Sequence, residues 1–164
     1  MAKKLEKTQR YDATPEQVWD MLLNEDFVKE KCEAAGATEV SVETLEEDDG
    51  TTLVCRRVLP AKLPGFAKKF VGDSITITET QRWKNPDGKS RSAEYLADFG
   101  NNPISMQGTI SVESDGDGTV VRTLAKVKCT VAFVGGKIEG VAVDWTDKYL
   151  DKENKVGQEW LNRS

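Results

Sequence analysis

Four charged or amide side chains occupy strand positions where the alternation of the sequence otherwise directs apolar residues inward: Arg57, Glu79, Gln81 and Arg91. An inward charge is costly unless it is paired, so these groups should meet each other, water or a ligand. One hypothesis makes Arg57 or Arg91 the anchor for a ligand's carboxylate or carbonyl, oriented by Glu79 and Gln81. The alternatives are a structural Arg–Glu pair near the rim of the sheet, or a bulge that turns these residues outward.

The residue types of the chain and their spacing exclude several other kinds of catalytic or metal site. The 164 residues include no histidine, which excludes Ser-His-Asp and Cys-His catalysis and every His-containing zinc site. Cys32, Cys55 and Cys129 are widely spaced, so we interpret them as small buried apolar groups. The Asp-Gly-Asp-Gly sequence at 115–118 resembles a calcium loop, but such a loop needs a glutamate where Lys126 stands, so we predict a hairpin turn. No metal and no tightly held cofactor is expected.

The longest connection is the segment 60–72, in which the alternation stops. Phe66 and Phe70 are four residues apart, so a helical segment would place them on one ridge while Lys68 and Lys69 face water. Three roles stay open for this segment. It could be a lid that moves to admit a ligand, a plug that closes the open end of a sheet, or a contact surface for a membrane or a partner protein.

Two short helices are predicted after a first strand at residues 3–11. Thr14 and Gln17 form a capping box at the start of the first helix. Asn24 begins the second helix, with carboxylates in its first turn, and Gly36 ends it.

From residue 37 onward apolar residues recur with a period of two, which predicts six further strands. The connections carry Asp, Asn, Gly and Pro, the residues of tight turns, so the strands should pair as an antiparallel meander. The predicted strands cover residues 38–42, 53–59, 75–83, 91–99, 104–112 and 119–133.

After Gly135 and Gly136 the period becomes helical. The two glycines could let a strand turn sharply into a helix, or could seat an anion at the helix N-terminus. The helix that follows should run for about 25 residues, or roughly 38 Å. Gly140 and Gly157 inside it each cost about 1 kcal/mol relative to alanine, so packing must hold this helix. The apolar stripe comprises Ile138, Val141, Trp145, Tyr149, Lys152, Val156 and Trp160.

Charge and composition restrict the partners. Lys and Arg number 23 against 28 Asp and Glu, a net charge of −5, and the positive residues do not cluster, so no nucleic acid is expected. No apolar run approaches the roughly 20 residues of a membrane span, and the N-terminus lacks an apolar signal region. We therefore expect one domain over residues 1–164, cytoplasmic and monomeric, without stable membrane insertion.

The order of elements, β-α-α-β6-α, resembles the START-like superfamily, also called SRPBCC or helix-grip. The opening Ala-Thr-Pro-Glu-Gln-Val-Trp at 13–19 carries much of this resemblance. Within the superfamily the chain is similar to an uncharacterised bacterial family at residues 66–72, Trp83, 102–103 and 135–139. The resemblance covers essentially the whole chain. It implies an α+β fold in which a strongly curved, seven-stranded antiparallel sheet, as in the birch pollen allergen, wraps around the long C-terminal helix.

The same resemblance implies a cavity between the sheet and the long helix that accepts an apolar small molecule. Such cavities commonly measure some 300–1,000 Å³. The residues expected to line it are Arg57, Phe66, Phe70, Ile77, Glu79, Tyr95, Met106, Ile138, Val141 and Trp145.

Three functions follow from a superfamily that spans lipid carriers, hormone receptors, polyketide cyclases and chaperone activators. The first is a non-catalytic carrier or sensor of a lipid, isoprenoid or polyketide-like molecule. The second is a protein-interaction module similar to chaperone activators, which would use the sheet face or residues 60–72. The third is an enzyme similar to polyketide cyclases, with Tyr95, Arg57 and Glu79 assisting proton transfer. Because the sequence lacks a recognisable catalytic constellation, the carrier or sensor is favoured.

Overall fold

A computed structural model describes residues 2–60, 64–65, 68–69 and 72–163. Within them, seven strands and three helices follow one another in the order predicted from the sequence. They are β1 (Ala2–Tyr11), α1 (Pro15–Leu22), α2 (Glu25–Ala34), β2 (Glu39–Glu47), β3 (Gly50–Pro60), β4 (Ser74–Lys84), β5 (Arg91–Asp98), β6 (Ile104–Asp115), β7 (Gly118–Cys129) and α3 (Gly135–Leu161).

All seven strands form one curved antiparallel sheet in the order β1-β7-β6-β5-β4-β3-β2. β1 and β2 are neighbours along the chain but lie at opposite edges of the sheet, and the connection that carries α1 and α2 links these edges. The predicted meander and its wrapping around the long C-terminal helix are confirmed. The Asp-Gly-Asp-Gly sequence is the predicted hairpin turn, since Asp115 pairs with Gly118 across the β6–β7 ladder.

The two short helices begin where local capping chemistry predicts. The Thr14 side chain accepts a hydrogen bond from the Gln17 N–H, and the Gln17 side chain accepts one from the Thr14 N–H. The Asn24 side chain caps α2 in the same manner, by accepting from the backbone N–H groups of Asp26 and Phe27. These bonds satisfy amide groups that the first turn of a helix leaves unpaired.

The end of β7 differs from the prediction, because the strand stops at Cys129 and not at Phe133. The buried carboxylate of Glu139 accepts a hydrogen bond from the Cys129 N–H at 2.8 Å. This bond fixes the first turns of α3 beside the strand end, so the chain must turn at once. A Cβ at Gly135 would lie 2.9 Å from the Cys129 carbonyl oxygen, which explains the glycine there. Phe133 takes a φ of 69° in this turn and is fully exposed.

The main core lies between the inner face of the sheet and the long helix. Its largest cluster joins Leu5 of β1, Ile77 of β4 and Met106 of β6 to Ile138 and Leu150 of α3. A second cluster packs α1 and the end of α3 against the other half of the sheet. Because α3 contributes to both clusters, burial of its apolar stripe stabilises it despite its two glycines.

The two glycines of α3 should respond in opposite directions to alanine. Gly140 faces only the flexible, exposed Lys3 amine, so Gly140→Ala should raise the free energy of unfolding by about 1 kcal/mol. At Gly157 a Cβ would lie 2.8 Å from the buried Tyr11 ring and 3.0 Å from the Met21 methyl group. Gly157→Ala should therefore lower that free energy by about 1–3 kcal/mol. Urea denaturation measures both, and stabilisation by both substitutions would contradict the packing of Tyr11 on α3.

Candidate ligand-binding site

A cavity of about 310 Å³ lies between the inner face of the sheet and α3. Six of the strands contribute to its walls, because inward-facing residues of neighbouring strands form one continuous surface. Most of the lining is apolar. The apolar and aromatic lining residues are Leu5, Leu22, Ala34, Ala35, Leu59, Ile77, Trp83, Tyr95, Ala97, Phe99, Met106, Ile110, Val121, Trp145, Tyr149 and Leu150.

Exposed lining residues mark an opening to solvent between α2 and α3. Ala34, at the end of α2, lines the cavity and is exposed to solvent. Lys148 and Lys152 on α3 also line the cavity and are also exposed. The half-buried Trp145 lies on α3 at the same side of the cavity. For residues 60–72 the sequence left three roles open, a lid, a plug or a contact surface. Phe66 and Phe70 of that segment lie outside the described residues.

A chain of hydrogen bonds runs along the inner face of β3 and β4. Arg57 Nη1 donates to Glu79 Oε1 at 3.1 Å, and Gln81 Nε2 donates to the other oxygen of Glu79. Trp83 Nε1 then donates to Gln81 Oε1 at 2.8 Å. All four side chains are buried and line the cavity. One of the hypotheses from the sequence was an Arg–Glu pair near the rim of the sheet. The structure contains such a pair, Arg57 with Glu79, but it is buried.

A second buried ion pair joins the two helices that flank the opening. Lys31 of α2 contacts a carboxylate oxygen of Glu153 of α3. Gln9 of β1 donates to the other Glu153 oxygen at 2.9 Å and to the Leu150 carbonyl at 2.8 Å. The Lys31, Glu153 and Gln9 side chains are all buried. Glu153 therefore links α2, α3 and β1 at one point of the cavity wall.

The ring of Tyr149 brings the two ion pairs together. The guanidinium carbon of Arg57 lies 4.9 Å from the ring centroid, and Lys31 Nζ lies 5.9 Å from it. A cation above an aromatic face is attracted by the ring quadrupole, and more strongly when both are desolvated. The buried charges are therefore one connected group and not two isolated pairs.

Burial and charge act in opposite directions on these groups. Burial raises the pKa of Glu79, but the cations of Arg57 and Lys31, together with the hydrogen bonds from Gln81 and Arg57, outweigh it and hold that pKa below its ordinary value. Burial lowers the pKa of Lys31, but the carboxylates of Glu153 and Glu79 outweigh it and raise that pKa above its ordinary value. Burial raises the pKa of Tyr95. At neutral pH Glu79 is therefore ionised, Lys31 is cationic, and the Tyr95 phenol is neutral.

The lowered pKa of Glu79 predicts acid sensitivity. The ionised carboxylate contributes stability that is fully present above the unfolded-state pKa near 4.5 and is lost as the pH falls through the lower folded-state pKa. The free energy of unfolding should therefore decrease as the pH falls from about 5 toward 3. Denaturant titrations across this range measure the slope. The double variant Arg57→Met/Glu79→Gln should show a shallower slope than the wild type, and an unchanged slope would contradict the assignment to Glu79.

Two thiols lie beside this charged group. Cys32 Sγ is 3.8 Å from Cys55 Sγ and 3.5 Å from the Tyr149 hydroxyl oxygen. The hydrogen bond with Cys55 lowers the pKa of the Cys32 thiol below its ordinary value, assisted by the cations of Arg57 and Lys31 and opposed by burial. Both cysteines are free and buried, as the sequence indicated. Cys32 therefore packs in the interior and also makes weak polar contacts with Cys55 and Tyr149.

The structure brings six of the ten expected lining residues to the cavity: Arg57, Ile77, Glu79, Tyr95, Met106 and Trp145. Ile138 packs in the main core cluster, and Val141 is half-buried one turn further along α3; neither is among the residues that line the cavity. Arg91 also lies elsewhere, donating to the Lys84 carbonyl at 2.8 Å and to the Thr51 hydroxyl at 3.2 Å.

Sequence reasoning missed the second ion pair. It placed Lys152 on the inward stripe of α3, whereas Lys152 is exposed and Glu153 is buried. On α2, Lys31 follows Phe27 by four residues and precedes Cys32, so it shares the spacing of buried residues. From this spacing alone, the sequence could have predicted that Lys31 is buried.

Among the described residues, no group of three or more Cys, Asp or Glu side chains is arranged to hold a metal ion. Within the same part of the chain, none of the helices combines the length and the apolar character that a membrane crossing requires.

Comparison with known proteins gives a family match and a set of similar structures. A model of the family described as "Protein of unknown function (DUF2505)" matches residues 6–161. A search of curated proteins finds no match.

The similar solved structures extend over nearly the whole chain. TTHA0849 from Thermus thermophilus has a TM-score of 0.69 and 15% identity, covering 96% of this chain and 95% of that one. A START superfamily protein from Mycobacterium smegmatis has a TM-score of 0.62 and 13% identity, covering 96% and 98%. Human STARD10 has a TM-score of 0.66 and 13% identity, covering 98% of this chain and 66% of that one. At these identities the likeness concerns the fold, and it confirms the START-like resemblance.

Proposed function

Because the chain belongs to the family described as protein of unknown function DUF2505 and has a START-like fold, we propose that it is a non-catalytic carrier or sensor of a hydrophobic small molecule. The molecule, of a lipid, isoprenoid or polyketide-like kind, would occupy the cavity between the sheet and α3. We further propose that the protein acts as a cytoplasmic monomer.

The observation that carries this proposal is the cavity itself. Its volume of about 310 Å³ is roughly twice that of an engineered cavity of about 150 Å³ that admits benzene. Protein interiors are otherwise packed with few voids larger than a water molecule. An apolar space of this size with an exposed rim is typical of a binding site for a small molecule.

The polar groups of the cavity favour binding over catalysis. A general acid or base must be free to exchange a proton with the substrate. Arg57 and Glu79, the residues that a cyclase-like mechanism would use, are engaged with each other, and Glu79 also with Gln81. Burial raises the pKa of Tyr95, which makes its phenol a weaker acid than in water. These contacts support a role in shaping and orienting a bound molecule.

Native mass spectrometry of the protein purified from its own host, followed by solvent extraction, tests the proposal. We expect a stoichiometric apolar adduct that is lost in Trp145→Ala, because Trp145 lines the cavity. Trp160→Ala is the matched control, since Trp160 is also half-buried on α3 but packs edge-on against Phe27 away from the lining. Failure of the protein to bind any member of a broad panel of apolar ligands would contradict the proposal.

The opening beside Ala34 provides a second test. Ala34→Trp places a large side chain at the exposed rim between α2 and α3, so it should slow association of an apolar probe by about tenfold or more, with little effect on stability. Stopped-flow fluorescence measures the association rate. Glu33→Trp is the control, because Glu33 is an exposed neighbour outside the lining. Equal rates in the two variants would show that ligands enter elsewhere.

A further inference from the structure

The charges that face the cavity determine what kind of molecule it can hold. We infer that the cavity selects an electrically neutral ligand and discriminates against carboxylates of the same size and shape. This inference deepens the proposed function and rests on it. It follows from the balance of the buried charges around the cavity and from the hydrogen bonds that those charges already make.

The buried charges of the cavity wall balance. Two cations, Arg57 and Lys31, and two carboxylates, Glu79 and Glu153, are the buried charged residues among the described lining residues. They form two direct ion pairs, Arg57 with Glu79 and Lys31 with Glu153. The described part of the interior surface therefore carries no surplus positive charge that could neutralise an anionic ligand.

Each of the four carboxylate oxygens already accepts a hydrogen bond. Glu79 accepts from Arg57 and Gln81, and Glu153 accepts from Lys31 and Gln9. A ligand carboxylate could accept a hydrogen bond from a remaining Arg57 donor, but Glu79 already balances the charge of that cation. The ligand charge could be neutralised only by displacing Glu79 and leaving that carboxylate buried without its partner. Breaking a buried ion pair in this manner is strongly unfavourable, so the pair should hold against a competing anion.

A neutral ligand meets no such obstacle, and the wall can offer it hydrogen-bond donors. Arg57 Nε is buried without a partner among the described residues, whereas the Gln81 carbonyl already accepts from Trp83. Since a guanidinium has five N–H donors and no acceptor, donors are in excess around this cation. A carbonyl or ether oxygen suits such a wall better than a hydroxyl or amide donor does.

The exposed lysines at the opening do not change this selectivity. Lys148 and Lys152 line the cavity but are exposed to solvent. Ion pairs with exposed lysines contribute little, and physiological salt screens charges over a length of about 8 Å. They can favour the approach of an anion without compensating for its burial in the interior.

Calorimetric titration with two naphthalene probes tests the inference. The probes are 2-acetonaphthone, which is neutral, and 2-naphthoate, which is anionic at pH 7 and has the same number of non-hydrogen atoms. At physiological salt we expect the wild-type protein to bind the ketone about tenfold or more tightly than the acid, equivalent to about 1.4 kcal/mol. Equal binding, or tighter binding of the acid, would overturn the inference and leave the proposed function standing. Binding of neither probe would contradict both.

Removing one carboxylate should weaken or invert the preference. Glu79→Gln and, independently, Glu153→Gln leave one buried cation in surplus, so each should shift the ratio of the two affinities toward the acid by about tenfold. Two variants at separate sites keep the test decisive if either one folds poorly. Glu43→Gln is the control, because Glu43 is exposed on β2 outside the lining and the ratio should stay unchanged. Unchanged ratios in both cavity variants would show that the ion pairs do not determine selectivity and would overturn the inference.

Discussion

Arg57→Met should lower the free energy of unfolding by about 3–5 kcal/mol, one of the two largest effects that we expect from a single substitution in this chain. The variant removes the cation that lies 3.1 Å from Glu79 and leaves the carboxylate in the interior without its partner. It also removes the contact between the guanidinium and the Tyr149 ring. Urea denaturation monitored by tryptophan fluorescence measures the loss.

A second substitution separates the cost of the unpaired charge from the loss of packing. Arg57→Met/Glu79→Gln removes both charges and should recover most of the lost stability, since a buried ion pair contributes little net stability compared with neutral groups of similar size. Arg56→Met is the control, because Arg56 is the exposed neighbour on the same strand and its substitution should change the free energy by about 0.5 kcal/mol or less. If the double variant were no more stable than Arg57→Met, this would contradict the view that the unpaired Glu79 carboxylate causes most of the loss.

Lys31→Met should be comparably destabilising, by about 3–5 kcal/mol, but its effect should be concentrated in a different part of the fold. Lys31 is the α2 side chain that holds Glu153 of α3, and its amine also lies 5.7 Å from the Phe27 ring centroid. Without it, Glu153 remains buried with Gln9 as its donor. We expect faster amide hydrogen exchange throughout α2, because this helix loses its charged link to α3.

The control for Lys31→Met is Lys29→Met, an exposed position on the same helix where neither stability nor exchange should change appreciably. Adding Glu153→Gln to Lys31→Met should restore much of the stability and slow the exchange of α2 again. Exchange that accelerates equally in all elements would indicate a global loss of stability and would contradict the role of Lys31 as a link between α2 and α3.

The fold could be predicted from the sequence because its signals are local. The capping box at Thr14 and Gln17 requires only residues three apart, and the hairpin at 115–118 requires only its own turn residues. The end of β7 was predicted wrongly because it depends on a side chain from another element. Glu139 of α3 binds the Cys129 N–H, and no alternation along the strand reveals that contact.

The candidate site could be predicted only in part, for the same physical reason. A period of two is enough to direct Arg57 and Glu79 to one face of a sheet, and it identified both residues. Pairing of Lys31 with Glu153 depends on how two helices are packed together, and the two residues are 122 positions apart along the chain. On a helix of 27 residues, the predicted inward face can be wrong by one residue at its far end. Here the prediction placed Lys152 inward, whereas Lys152 is exposed and its neighbour Glu153 is buried. The balance of charge in the cavity could not be derived without that packing.

Binding of an apolar molecule in the cavity is most directly tested by methyl NMR on protein labelled at isoleucine and methionine, titrated with 2-acetonaphthone. The chain offers internal controls. Ile77 and Met106 line the cavity, whereas Ile75 on the same strand as Ile77 and Met21 of α1 are buried outside the lining. We predict that the methyl groups of Ile77 and Met106 shift and show direct contacts with the probe while those of Ile75 and Met21 change little. Shifts confined to exposed residues, or none at all, would contradict ligand binding in the cavity.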